Sequence, residues 1–500
     1  MKRLTIYFTS DVHGYLFPTD FTSSTLKPMG LLSMSFPKDG NTLVLDGGDT
    51  IQGSPLTYYC REENLPPPAA GPMNDRGYDY VTLGNHDFNY GPSWLSAHLR
   101  ALNAPCLCAN VQDALGRLPL LPWTVHTMEN GLRVGLFGIV THWVNRWERP
   151  ENLRGITVSD PLPAAREAVA ALKKQGADQI VCLYHGGLER DPDTGKVLSE
   201  TDENIACRLC EEVPVDLLLT GHQHIGMAEK HWAGVPLAQT PCNGAACIRA
   251  ELDENGWHTA LCPVTAPDLA WQPRERALWE GLGRFLVRPV GRLPFALRPQ
   301  DRLTMALHGT GIAELINQVQ LWASGAELSC TALANEVRGF DACVTVQDVV
   351  ASYPYANTLK VLRVDGRTLR LALEQCARYF AFAPDGSLRV SDEYLKPKKA
   401  HYNYDFFAGI SYVFDLSRPE GGRVTEITRE GRPVRDSDTF TLCMNSYRAT
   451  GAGHYDFYQS LPVVREIQTE ISELILDYFR EHPEVSLPDK PAFCVTGYQG

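Results

Sequence analysis

The sequence predicts an α/β protein followed by a second, α+β domain, and three observations predict it. Short apolar strands rich in β-branched residues recur through the first half, and five of them end in Asp, His or Asn beside glycine. A helical stretch, 161–175, lies between two of these strands. A proline-flanked segment then closes the pattern, and a different succession of strands and helices follows it, ending in a helix expected over 464–480. The expected division is a first domain at 1–265, a linker helix within 266–289, and a second domain at 290–500.

Bulk properties narrow the function classes. A chain of 500 residues can bury a large core in two or three domains. Hydrophobic and charged contents of 44% and 21% are those of a soluble globular protein. A net charge of −13 argues against a nucleic-acid polymer or an anionic membrane as partner. It leaves a small anionic substrate open, because a bound metal ion inverts the local sign. No apolar run approaches membrane-spanning length, and the run after Met1-Lys2-Arg3 is shorter than the roughly 7–15 residues of a secretory core. As it stands the chain reads as cytoplasmic; removal of an export signal would make it periplasmic or wall-associated. The 14 cysteines are scattered, several in apolar strands such as those of Cys182 and Cys443, and read as packing thiols. Nothing in the sequence sets an oligomeric state.

Taken in order, the strand ends carry the chemistry. Leu4–Phe8 leads to Asp11-Val12-His13-Gly14, where alternate side chains share one side and can reach one ion. Thr42–Asp46 leads to Gly47-Gly48-Asp49, whose glycines let backbone approach a ligand closely. Tyr80–Leu83 leads to Gly84-Asn85-His86-Asp87-Phe88-Asn89. A fourth strand, Arg133–Val140, precedes a polar-aromatic loop, and Asp160 is placed to cap a helix beginning at Pro161. Gln179–Tyr184 ends at His185-Gly186-Gly187, and Val215–Leu219 ends at Thr220-Gly221-His222-Gln223-His224. Each motif alone reads as a polar loop. In an open α/β sheet, however, ligands bind beyond the carboxyl ends of the strands, so the five converge.

The converging donors are Asp11, His13, Asp49, Asn85, His185, His222 and His224. They are too many for one tetrahedral ion and suit two, with Asp49 bridging. Such a pair of ions clamps the attacking and leaving oxygens of an in-line phosphoryl transfer. Imidazole, carboxylate and amide donors without thiolate suit Mn, Fe, Co or Zn.

The ordered motifs D-x-H, G-G-D, G-N-H-D, H-G-G and G-H-x-H resemble the calcineurin-like metallophosphoesterase superfamily. The resemblance implies a four-layer α/β/β/α sandwich. It implies that Asp11, His13, Asp49 and His224 hold one divalent metal, and Asp49, Asn85, His185 and His222 the other. His86 would stabilise the transition state and protonate the leaving oxygen, while a metal-bound hydroxide attacks phosphorus.

In the second half, Ser352–Asn357 and Asn445–His454 resemble the substrate domain of the bacterial 5′-nucleotidase family. There two aromatic rings sandwich a nucleobase, by position Tyr355 and Tyr447, at about 1–3 kcal/mol per stacked base. Without the resemblance these are ordinary half-buried tyrosines. Arg338, Asn357 and Asp405 are candidate polar contacts to the nucleotide. The stretches GDTIQGSPL (48–56), GNHDFNYG (84–91), PYANT (354–358), YNYD (402–405) and NSYRATGAG (445–453) lean toward the 2′,3′-cyclic-nucleotide 2′-phosphodiesterase/3′-nucleotidase branch. The implied substrates are therefore 2′,3′-cyclic nucleotides and 3′-nucleotides. One rival is a 5′-nucleotidase or a UDP-sugar or dinucleotide pyrophosphatase; another, of a different class, is a non-catalytic nucleotide-binding sensor. The sequence departs from the 5′-nucleotidase branch at Asn89, where that branch has a carboxylate orienting the catalytic histidine. An amide stabilises imidazolium less, so Asp87 or another carboxylate is expected to compensate.

Overall fold

The strands of the first half pair into two mostly parallel sheets laid face to face. A computed structural model of the chain describes all residues except 1, 23–24, 200, 356, 397–398, 489–490 and 499–500. The first sheet has seven strands in the order Gly256–Pro263, Ala246–Asp253, Leu4–Thr9, Thr42–Asp46, Tyr80–Val81, Cys106–Leu107 and Leu120–Leu121. The second has six, in the order Met227–Trp232, Val235–Gln239, Leu217–Thr220, Gln179–His185, Arg133–Val140 and Trp123–Thr127. Each strand that carries a motif pairs in parallel with at least one neighbour, so their carboxyl ends open on one edge.

Side-chain alternation explains the layering. Ile6, Phe8, Leu43 and Leu45 of the first sheet meet Val134, Leu136, Val181, Leu183, Leu217 and Leu219 of the second in one buried core. The intervening Phe137, Ile139, Ile180, Cys182 and Leu218 face the other way, under the helices Pro161–Lys174 and Ala206–Glu212. Asp160 caps the first of these helices through the Leu162 N–H. Helices Pro55–Glu62, Ala70–Asp75 and Gly91–Ala101 belong to the remaining outer layer, completing a four-layer α/β/β/α sandwich.

The chain divides into two compact units, 1–282 and 283–500. Helix Pro273–Leu286 crosses the division, and within the first unit Trp271 and Trp279 pack on Phe17 with centroids 4.9 and 5.0 Å away.

The second unit centres on a five-stranded sheet, Asp405–Ala408, Leu328–Ala332, Thr439–Asn445, Leu359–Asp365 and Val463–Ile467. Its last strand corrects the sequence reading of one helix over 464–480. Val463–Ile467 is an edge strand instead, and the helix runs only over Ile471–Glu481. Strand pairing won because β-branched Val463, Val464 and Ile467 suit a sheet and Glu466 sits opposite Lys360, 3.2 Å away. Among the described residues, no helix is long and apolar enough to cross a membrane.

Candidate dimetal centre

The loops at the sheet edge are strained where the donors sit. Asp11, His13, Asp49, His222 and His224 have φ of 56°, 51°, 56°, 74° and 59°. Residues with a side chain rarely adopt such angles, and those that do cluster at functional sites. Three bonds lace the first two loops together: Asp11 N–H to Gly48 O (2.9 Å), His13 N–H to Asp49 O (2.8 Å) and Gly14 N–H to Thr50 O (2.9 Å). The third loop comes so close that a Cβ on Gly48 would lie 2.1 Å from Gly84 N, and one on Gly84 would lie 2.1 Å from Asp49 Oδ1. Only glycine fits either position.

Two buried carboxylates hold this backbone without pointing at the donors. Asp87 accepts the N–H groups of Asp49 (2.9 Å), Thr50 (2.9 Å), Ile51 (3.2 Å) and Gly84 (2.8 Å). Asp46 accepts from the Thr9 and Thr50 hydroxyls at 2.6 and 2.8 Å and from Gly48 N–H at 3.1 Å.

The orientation of each imidazole follows from its outer partner. His13 Nδ1 lies 3.0 Å from Gln52 O and His185 Nδ1 lies 2.7 Å from Gly47 O. A carbonyl only accepts, so both Nδ1 atoms carry hydrogen and both Nε2 atoms face inward. His222 is turned the other way: its Nε2 meets Glu203 Oε1 at 3.0 Å and its Nδ1 faces inward. Carbonyl or carboxylate partners on the outer nitrogen are the usual arrangement for metal-ligating histidines.

Inward, electron-pair donors crowd one another. His13 Nε2 and His224 Nε2 are 3.0 Å apart, and Asn85 Oδ1 lies 3.1 Å from His185 Nε2 and 2.8 Å from His222 Nδ1. Asp49 Oδ2 is buried with no hydrogen bond, 3.0 Å from His185 Nε2 and 3.9 Å from His13 Nε2. Among the described residues, atoms able to ligate a metal form two groups that share Asp11: Asp11–His13–His224 and Asp11–Asp49–His185. Burial alone would raise the Asp11 pKa, yet His224 and His185 hold it down at about 2. Burial disfavours a charged His185, yet Asp49 holds it up at about 9. The site thus demands positive charge where its lone pairs converge, and divalent cations fit that demand.

His86 stands beside the donors, its ring centroid 5.2 Å from that of His13. Its N–H donates to Asp49 Oδ1 at 2.7 Å and its Nδ1 lies 2.8 Å from Asn89 Oδ1. Burial lowers its pKa. Asn89 Nδ2 in turn donates to Glu148 Oε2 at 2.6 Å.

In the second unit, Tyr355 and Tyr447 are 38% and 40% exposed, so each side chain is partly accessible. Each meets Tyr402 edge-on, with centroids 6.4 and 6.1 Å away.

Residues 4–226 match the family model described as calcineurin-like phosphoesterase, and 289–460 that described as 5′-nucleotidase, C-terminal domain. A Staphylococcus aureus protein, solved as a candidate 5′-nucleotidase in complex with alpha-ketoglutarate, is 32% identical with a TM-score of 0.71; the match covers 99% of this chain and 100% of that one. The chain belongs to the 5′-nucleotidase family of calcineurin-like phosphoesterases. The 2′,3′-cyclic-nucleotide 2′-phosphodiesterase/3′-nucleotidase of Haemophilus influenzae is 24% identical over 96% of this chain and 85% of its own length. The trifunctional nucleotide phosphoesterase protein YfkN of Bacillus subtilis is 23% identical over 97% of this chain, which spans only 38% of that protein's length.

Set against the sequence reading, the structure brings all seven expected donors, together with His86 and Asn89, to one sheet edge. Asp87 clamps backbone and does not reach His86; the carboxylate behind Asn89 is Glu148. Asp405, expected to contact nucleotide, is buried with both oxygens taken by Arg448, at 2.7 Å from Nε and 3.0 Å from Nη2. Arg338 has its Nε 3.6 Å from Asp348, and Asn357 donates its N–H to Tyr355 O at 2.8 Å. Ala356 of the PYANT stretch lies outside the described residues. Sequence reasoning missed Glu203, Glu148 and Trp147, whose ring stacks on His222 at 5.5 Å.

Proposed function

We propose that the chain hydrolyses 2′,3′-cyclic nucleotides to 3′-nucleotides and then to nucleosides. The observation that carries this reading is the crowding of electron-pair donors around the unbonded Asp49 Oδ2, with a histidine outside the donor set, His86, at their side. The relatives named for these two activities support the substrate class.

Asp11, His13, Asp49 and His224 would hold one divalent ion, and Asp49, Asn85, His185 and His222 the other. Bound there, the ions supply Lewis acidity to the phosphoryl oxygens and acidify a water; manganese, zinc, iron and cobalt all suit nitrogen and oxygen donors. The remaining steps belong to the chain. Gln52, Gly47 and Glu203 fix the donor imidazoles by their outer nitrogens. His86 gives the proton on its Nε2 to the departing ribose oxygen, the 2′ oxygen of the cyclic ester first and the 3′ oxygen afterwards. Burial lowers the pKa of His86, which makes its imidazolium a stronger acid and a smaller share of the ring population. In the second unit, the partly exposed Tyr355 and Tyr447 would stack a base between them, with the ring of Tyr402 edge-on to both.

A second reading, hydrolysis of 5′-nucleotides, is favoured by the 32% identity to the Staphylococcus aureus candidate 5′-nucleotidase. The test is phosphate and nucleoside release from 2′,3′-cAMP, 3′-AMP, 5′-AMP and UDP-glucose with Mn²⁺, beside His86→Ala. We expect fast turnover of the first two substrates and a loss in the variant of about 10²–10⁴ in kcat. Preference for 5′-AMP or UDP-glucose would overturn the substrate assignment. Tight nucleotide binding without release under any divalent ion would make the chain a sensor.

A further inference from the structure

We propose that Glu148 is a positioning residue that sets, through Asn89, which nitrogen of His86 carries a hydrogen. The inference rests on the reading of His86 as the proton donor to the leaving oxygen. Its basis is a chain of three side chains, each held by the next: His86 Nδ1 at 2.8 Å from Asn89 Oδ1, and Asn89 Nδ2 at 2.6 Å from Glu148 Oε2.

An amide facing an imidazole has two self-consistent states. In one the amide oxygen accepts from Nδ1–H; in the other the amide NH2 donates to a bare Nδ1 and the ring hydrogen moves to Nε2. Only the first suits an acid. When Nε2 gives up its proton, the ring remains neutral only if Nδ1 keeps its own. In the second state the same transfer would leave an imidazolate. Nothing in Asn89 itself chooses between the states. Glu148 does, because a carboxylate only accepts and so draws the amide NH2 to its own side.

Glu148 is itself held. Its Oε1 accepts from Arg149 N–H at 2.7 Å and from Asn152 Nδ2 at 2.9 Å, and Asn152 Nδ2 also reaches Asn89 O at 2.8 Å. Its N–H closes the short helix Val144–Trp147 on Val144 O at 2.9 Å. Both carboxylate oxygens therefore face donors, and this makes glutamine an informative replacement. In Glu148→Gln the single amide oxygen is drawn to the two donors at the Oε1 position. Its NH2 then faces Asn89, which must turn over to present its oxygen, and His86 takes the wrong tautomer. Asn89→Asp alone sets carboxylate against carboxylate. The double variant Asn89→Asp/Glu148→Gln restores the pattern, because the introduced glutamine donates to the introduced aspartate, which in turn accepts from Nδ1–H of His86.

Two measurements test this. In kinetics with Mn²⁺, Glu148→Gln is expected to lower kcat on 3′-AMP roughly 10–100-fold with KM within about threefold of wild type. On p-nitrophenyl phosphate, whose leaving group needs no proton, the loss is expected to be several-fold smaller. The double variant is expected to recover most of the activity lost by either single one. Equal losses on both substrates, or a double variant no better than the singles, would overturn the proposal. The second measurement is the ¹⁵N spectrum of histidine-labelled protein, with His86 assigned through His86→Gln. It should give an Nδ1–H tautomer in wild type and an Nε2–H tautomer in Glu148→Gln; the same tautomer in both would refute the inference. The spectrum reads the relay without turnover, so its failure is distinct from failure of the hydrolase reading, which a wild type inactive on all substrates would signal.

Discussion

At the scale of single residues, the donor cluster is framed by acids that differ sharply in what surrounds them. Asp11 and Asp49 face imidazoles and are held low, whereas Asp46 faces only hydroxyls and an N–H. Burial pushes the Asp46 carboxyl up to about 7, against the bonds from Thr9, Thr50 and Gly48. Its ordinary unfolded value is about 3.9, so the fold favours the protonated form. The stability this contributes is full below about pH 4 and is lost as pH rises through 7. Asp46→Asn mimics the neutral carboxyl, with its NH2 placed to donate to Thr9. It should be more stable than wild type at pH 8 by on the order of a few kcal/mol, with the gap closing toward pH 4. Denaturant unfolding of both proteins across that range checks it, and a pH-independent gap would contradict it. The donors themselves were legible in the sequence because each motif is local: Asp11 and His13, or His222 and His224, share a strand end. Glu148 and Glu203 were not, because the residues they hold, Asn89 and His222, lie 59 and 19 positions away. No spacing rule connects them before the chain has folded.

At the scale of elements, the aromatic group of the second unit depends on a buried ion pair. Arg448 and Asp405 are each only 1% exposed and bonded in a fork, and Arg448 also donates to the carbonyls of Ala452 and Tyr402. Its guanidinium lies 4.1 Å from the centroid of Tyr455. The pair thus joins strand Asp405–Ala408 to helix Ser446–Ala449, which carries Tyr447, and to the segment carrying Tyr402. Removing one partner of a buried pair strands the other charge and costs about 3–5 kcal/mol. Arg448→Met is therefore expected to lower the unfolding midpoint and raise KM for nucleotide more than it lowers kcat. An unchanged KM would separate the ion pair from substrate binding. The element reading from sequence failed at Val463–Ile467, where a five-residue strand was absorbed into the helix after it. Periodicity over so short a run does not separate the two, and the deciding contact, Lys360 with Glu466, is made by a distant strand.

At the scale of the molecule, the sequence pattern of strands ending in donors corresponds to two face-to-face, mostly parallel sheets whose carboxyl edges open together, as open α/β sheets do. That edge could be inferred because strand periodicity and glycine placement are written locally. The antiparallel hairpin of Ala246–Asp253 and Gly256–Pro263 could not, since its place beside Leu4–Thr9 is set by long-range pairing. In the proposed mechanism, one edge of the first unit binds two divalent ions that hydrolysis requires, with Asp49 shared between them. The most direct test counts metal per chain by elemental analysis of Mn²⁺-reconstituted wild type and Asp49→Ala, with phosphate release from 3′-AMP measured on the same samples. Two ions per active wild-type chain are expected, and in the variant loss of at least one ion together with nearly all turnover. Full turnover in a chain holding one ion or none, or an Asp49→Ala protein that keeps both ions and its activity, would contradict the mechanism.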